Sequence, residues 1–162
     1  MKKSLLVSIP ALLIAGFFAL PVIADQRLVR FEGGIGVIPV RGNGAPFAAN
    51  VVHFVDPAGQ PWVIADLRAD VRVDGRIRVD GRGLLFAGGN SIGTRGGVAS
   101  VRARLFCGGV AQTDTTAALD TSGDFRIDDV IIPAPPNPCV NPVLLILNPA
   151  GTAWFAAGIP RN

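Results

Sequence analysis

The chain has 162 residues, 49% of them hydrophobic, with 15 Lys plus Arg against 12 Asp plus Glu. The length suits one domain. Lys2 and Lys3 are the only lysines, so without them 13 Arg face 12 acidic residues, a net charge of about +1. That argues against a nucleic-acid binder, which needs an unbalanced basic surface.

The first segment carries Lys2 and Lys3, then an apolar run over 5–20, then Pro21 and Val22-Ile23-Ala24. This is the order of a secretory signal peptide and its small-residue cleavage site. It predicts removal of residues 1–24, leaving 25–162 as a single domain that starts at Asp25. Membrane contact is expected only through the signal segment. The Lys-Lys start and Ala-ending site are in bacterial style and point to the periplasm or the extracellular space. Export also predicts oxidised thiols, and Cys107 and Cys139 are the only cysteines. Their pairing would close a loop of about 30 residues, worth roughly 3–4 kcal/mol in the chain-entropy model.

The exported part is rich in Val, Ile, Phe and Ala, is punctuated by Gly, Pro, Asn and Asp, and lacks a 3.6-residue apolar repeat. It predicts an all-β fold, an antiparallel two-sheet β-sandwich of about eight or nine strands. In chain order, 27–40 opens the domain with a bulge or bend at Gly33-Gly34. A strand at 51–55 precedes a turn at Asp56-Pro57-Ala58-Gly59, and another follows at 62–67. The clearest signal is 69–83, where even positions are all charged and odd positions apolar or Gly. A period of two places these sets on opposite faces of a sheet. Parity rules out a two-residue loop at Asp74-Gly75, which would pair Val73 with Arg76. A three-residue loop, Asp74-Gly75-Arg76, pairs Val73 with Ile77 and Val71 with Val79 and keeps the faces matched. It is favoured over one continuous strand, with Gly75 left-handed.

Residues 84–87 lead into a loop at 88–97 with five Gly in ten residues. The next strand, 98–107, puts Cys107 on the apolar parity. A hairpin is expected from 113–119 and 124–132 around the turn 120–123. A Pro-rich connection, 132–142, carries Cys139. The unbroken apolar run 143–147 reads as a buried central strand, and 152–157 closes the domain. The spacing of Cys107, the Gly123-Asp124-Phe125 turn and Cys139 resembles that in secreted transthyretin-like and immunoglobulin-like sandwiches. The likeness covers the last third of the chain, rests on turn chemistry, and implies a sandwich without a particular family.

Catalytic parts are scarce. There is one His, one Glu and no Tyr, and Ser91, Ser100 and Ser122 are the serines of the exported part. None sits in a Gly-x-Ser-x-Gly elbow. His53 shares parity with Val51 and Val55 and could face inward, with Asp56 as its nearest acid. The Gly-rich stretches 33–36 and 88–97 lack the Lys and helix of a phosphate loop. Asp120, Ser122 and Asp124 alternate, but the spacing fails an EF-hand, and two Cys with one His do not make a zinc set. No cofactor, metal or catalytic residue is assigned.

What remains is binding chemistry. Arg72, Arg76, Arg78 and Arg82 form a ladder able to grip an anion, interleaved with Asp70, Asp74 and Asp80; Arg102 and Arg104 could extend it. Asn90 and Arg95 offer contacts from the Gly-rich loop. Trp62 and Trp154 read as core, or as sugar-stacking platforms if exposed together. The reading is an exported, non-catalytic protein that binds or stabilises a cell-envelope protein or a polysaccharide. The alternatives are a small secreted hydrolase built on His53 with an Asp, and an envelope assembly subunit that adds a strand at an open edge.

Overall fold

The computed structural model describes residues 26–41 and 48–161. The expected signal segment, 1–24, lies outside them, as does Asp25. The regular elements are all strands: β1 (Arg27–Gly36), β2 (Val40–Arg41), β3 (Ala48–Ala49), β4 (Asp56–Pro57), β5 (Trp62–Val63), β6 (Asp66–Arg72) and β7 (Arg76–Arg82). They continue with β8 (Leu85–Phe86), β9 (Ser100–Cys107), β10 (Val110–Ala111), β11 (Thr115–Ala118), β12 (Phe125–Val130), β13 (Val143–Leu147) and β14 (Ala153–Arg161).

Ten strands share one curled sheet, ordered β10-β9-β13-β14-β1-β6-β7-β12, with β11 on β9 and a short parallel pairing of β4 on β14. The long pairings are all antiparallel. The all-β antiparallel class is therefore as expected, but hydrogen bonding links the long strands into a single path rather than two separate sheets. β11 and β12 lie against each other, joined by a turn closed by Gly123 N to Asp120 O at 3.1 Å. They do not form the expected hairpin: β11 pairs with β9 and β12 with β7. The sheet thus curls until its two ends meet at this turn.

Alternation sorts the two faces. Val71, Ile77, Val79, Val101, Ala103 and Leu105 are all buried on the inner side. The 69–83 segment is a hairpin with a three-residue loop and Gly75 at φ +88°, as parity required. Its register differs from the expected one: Val71 pairs with Ile77 and Ala69 with Val79, so the loop is Val73-Asp74-Gly75. The Asp74 carboxylate accepts a hydrogen bond from Arg76 N at 3.1 Å and so holds the turn one residue earlier. Gly81 faces inward where Phe125 packs across it; a Cβ there would meet the ring at 2.2 Å.

β13 sits between β9 and β14, and Leu144, Leu145, Ile146 and Leu147 are all fully buried. A strand is apolar on both parities when both faces are covered. One face looks into the curl. The segment from Asn50 to Trp62 packs against this part of the sheet, with the Trp62 ring stacked on Phe155 at 4.1 Å and Trp154 Nε1 donating to Asn50 O at 2.9 Å. Cys107 and Cys139 are joined, sulfur to sulfur at 1.93 Å, tying β9 to the Pro-rich connection.

Candidate functional site

The outer faces of β1, β6, β7 and β12 carry what the alternation leaves outside. The ladder pairs Asp70 with Arg78 across β6 and β7, and Asp128 with Arg78 across β12 and β7. Around them lies a concavity of about 370 Å³ walled by Arg27, Asp70, Arg72, Arg76, Arg78 and Asp128. A second concavity, about 570 Å³, adjoins it through Arg27 and adds Arg30, Glu32 and Arg161 beside Cys139 and Pro142. Six guanidiniums and three carboxylates line the two.

The register makes this face unusual. Arg27 is the cross-strand partner of Arg72, and Arg30 of Arg161. Like charges placed directly opposite are unfavourable in a sheet. Acids offset them: Glu32 bridges Arg30 and Arg161, the latter at 3.7 Å. Asp70 lies 2.7 Å from Arg27 Nε, an ion pair in distance without hydrogen-bond alignment. Asp74 meets Arg76 at 3.3 Å and Asp80 meets Arg78 at 3.2 Å. These side chains are all about half exposed. Such pairs contribute about 0–1 kcal/mol each, so a ligand carboxylate or sulfate can replace an internal acid at little cost.

The other residues singled out from the sequence are dispersed. Arg82 lies farther along β7 in a separate hollow with Asp120, Asp124 and Arg126. Arg95 turns into its own loop, with Nη1 on Val98 O, and Asn90 is exposed there. The loop consumes its own polar groups: Thr94 Oγ1 donates to Ser91 O at 2.8 Å and accepts from Gly96 N at 3.1 Å. Arg102 and Arg104 do not extend the ladder, because β9 lies four pairings from β6 along the sheet path. Instead Arg104 forms a two-pronged pair with Asp114, at 2.5 and 2.6 Å. That hydrogen bond raises the Arg104 pKa above its usual value, burial opposing and the charge attraction adding. The Asp120 carboxylate caps its own turn, accepting from Ser122 N and Asp124 N at 2.8 Å each. Among the described residues no three His, Cys, Asp or Glu are gathered to hold a metal ion. Trp62 and Trp154 are both buried, as core residues.

His53 corrects the sequence reading. Residues 51–55 are not a strand: Val52 and Val55 exchange hydrogen bonds at 3.1 and 2.9 Å across a two-residue turn. Strand parity therefore does not apply, and His53 is exposed, stacked on Phe106 at 4.8 Å. The sequence reading missed Arg27, Arg30, Arg161 and Asp128 as members of the arginine face. Bulges between Arg27 and Val29 and between Phe31 and Gly34 reset the parity of β1. Comparison with known proteins yields no matching family model, no matching curated protein and no matching solved structure.

Proposed function

We propose that this chain is an exported, non-catalytic binding module of two stacked β-layers, and that its arginine face holds an acidic polymer of the cell envelope or extracellular space, an acidic polysaccharide first. The observation that carries the reading is the pair of cross-strand Arg–Arg neighbours, Arg27 with Arg72 and Arg30 with Arg161, lining two hollows that share Arg27. Guanidinium groups suit carboxylate and sulfate through two-pronged hydrogen bonds. Two hollows end to end suit an extended chain of repeating negative charge better than a compact metabolite. The disulfide supports an oxidising compartment. Strand addition is disfavoured because β12, at one end of the sheet path, carries the exposed charges Arg126, Asp128 and Asp129, which blunt an edge.

The test is titration of the purified protein with polygalacturonate and with its neutral methyl ester. The acidic polymer should bind and weaken about tenfold or more between low and physiological-plus salt, as screening shortens. Arg27→Ser with Arg76→Ser should abolish binding while Arg102→Ser leaves it intact. Equal binding of the neutral ester, or insensitivity to both substitutions, would reject the reading.

A further inference from the structure

The two hollows of the arginine face differ in kind. The first is walled by charged side chains, and the apolar Ile77 among them is buried. The second sets apolar surface beside its charges: Leu28, Cys139 and Pro142 are half-buried there, over a buried Val29. Alternation alone does not put Leu28 on this wall, because successive residues of a regular strand point to opposite faces. Here Arg27 pairs with Arg72 and Val29 with Val71, two steps along β1 against one along β6. Leu28 is the extra residue of a β-bulge, and a bulge re-aims a side chain. Four consecutive residues, Arg27 to Arg30, therefore reach the same hollow. The opposite wall is held firmly. Cys139 is bonded to Cys107, Gly108 N donates to Val140 O, and Val143 pairs with Phe106. Pro142 adds an apolar ring with no rotamer freedom to lose on binding.

A uronate unit carries carboxylate and hydroxyl groups around its ring and gives an aliphatic wall little to cover. An acetyl substituent supplies what is missing. Its methyl suits Leu28 and Pro142, and its carbonyl accepts from a guanidinium, with Arg27 common to both hollows. The carboxylate beside it falls to Arg30 and Arg161, held as neighbours across β1 and β14. We propose, resting on the arginine face as the polymer site, that the second hollow selects acidic sugars bearing acetyl groups, with Leu28 and Pro142 contacting the acetyl methyl. The acetyl belongs to the acidic sugar as an ester or to its neighbour as an amide. A long acyl chain fits less well. The hollow holds about 570 Å³, but its apolar wall is short and is flanked by Arg27, Glu32 and Arg161, so the chain would run off it onto charge.

Calorimetric titration with polygalacturonate and with the same polymer partly O-acetylated, compared per carboxylate, tests this. The native chain should bind the acetylated polymer about three- to fivefold more tightly, the worth of one buried methyl, with a more negative heat-capacity change. Leu28→Gln, which keeps an aliphatic stem, should bring the ratio of the two affinities to about one. Pro142→Ser, on the opposite wall, should do the same, so that one variant serves where the other does not fold. Hyaluronate, with an amide acetyl on alternate sugars, separates the sources: binding above the acetylated polygalacturonate assigns the amide, binding below it the ester. Equal affinity of the native chain for polygalacturonate with and without acetyl groups, or a preference that survives both substitutions, would overturn the assignment and leave the arginine face standing. Binding of neither polymer would overturn both. Decanoate binding more tightly per carboxylate than the acetylated polymer would overturn it in favour of a lipid.

Discussion

Replacing Val79 and replacing its neighbour Arg78 should have very different consequences. Val79 is fully buried, flanked by Ala69 on β6 and Ile127 on β12. Val79→Ala removes two methyl groups, about 1.6 kcal/mol of transfer free energy, and the cavity left brings the cost to about 2–3 kcal/mol. Val79→Asp adds an unpaired carboxylate in the interior and should cost about 4 kcal/mol or more, a large part of the 5–15 kcal/mol typical of a domain. Arg78 is about half exposed and pairs with Asp80 at 3.2 Å, so Arg78→Thr should cost about 1 kcal/mol or less. Urea unfolding under non-reducing conditions reads all three. At about 3 °C per kcal/mol, the melting points should fall by about 6–9 °C for Val79→Ala and about 3 °C or less for Arg78→Thr. Comparable losses at the two positions would refute the assignment of inner and outer faces.

Three further outcomes follow from the same geometry. Cys107→Ser with Cys139→Ser should lose about 3–4 kcal/mol of stability, seen as a lower urea midpoint; an unchanged midpoint would mean the bridge does not constrain the unfolded chain. Asp114→Asn should cost about 2–3 kcal/mol, below the figure for a fully buried pair because Arg104 and Asp114 keep 21% and 13% exposure; the same unfolding curves check it. Intact mass of the exported protein should correspond to a chain beginning at Asp25 with both thiols oxidised, and a mass retaining residues 1–24 would contradict export with cleavage.

Much of the fold was legible because alternation is a local property. The charged and apolar parities of 69–83 required matched faces and an odd loop, and the hairpin obeys both. The register slipped because the Asp74 side chain, not parity, decides which three residues turn. The central strand 143–147 was legible because coverage on both faces demands apolar residues on both parities. The segment 51–55 was not: Val-Val-His-Phe-Val has strand composition and no turn residue, and its hairpin depends on His53 and Phe54, both at positive φ. The partners of β11 and β12 were hidden too, since a tight turn between adjacent strands ordinarily means a hairpin. Half of the arginine face was legible, the half on β7 and the end of β6. Arg27, Arg30 and Arg161 join it only through bulges in β1 and the continuation of β14 beyond residue 157, which periodicity does not encode.

The central claim is that arginines on one outer face, and not arginines in general, engage an acidic polymer. The most direct measurement is a nitrogen–proton spectrum of the guanidinium Nε groups during titration with polygalacturonate. Signals of Arg27, Arg72, Arg76 and Arg78 should shift together and saturate, while those of Arg102 and Arg104, engaged with Pro149 O and Asp114, stay in place. Uniform small shifts across all arginines, or movement confined to Arg95 in the Gly-rich loop, would contradict it.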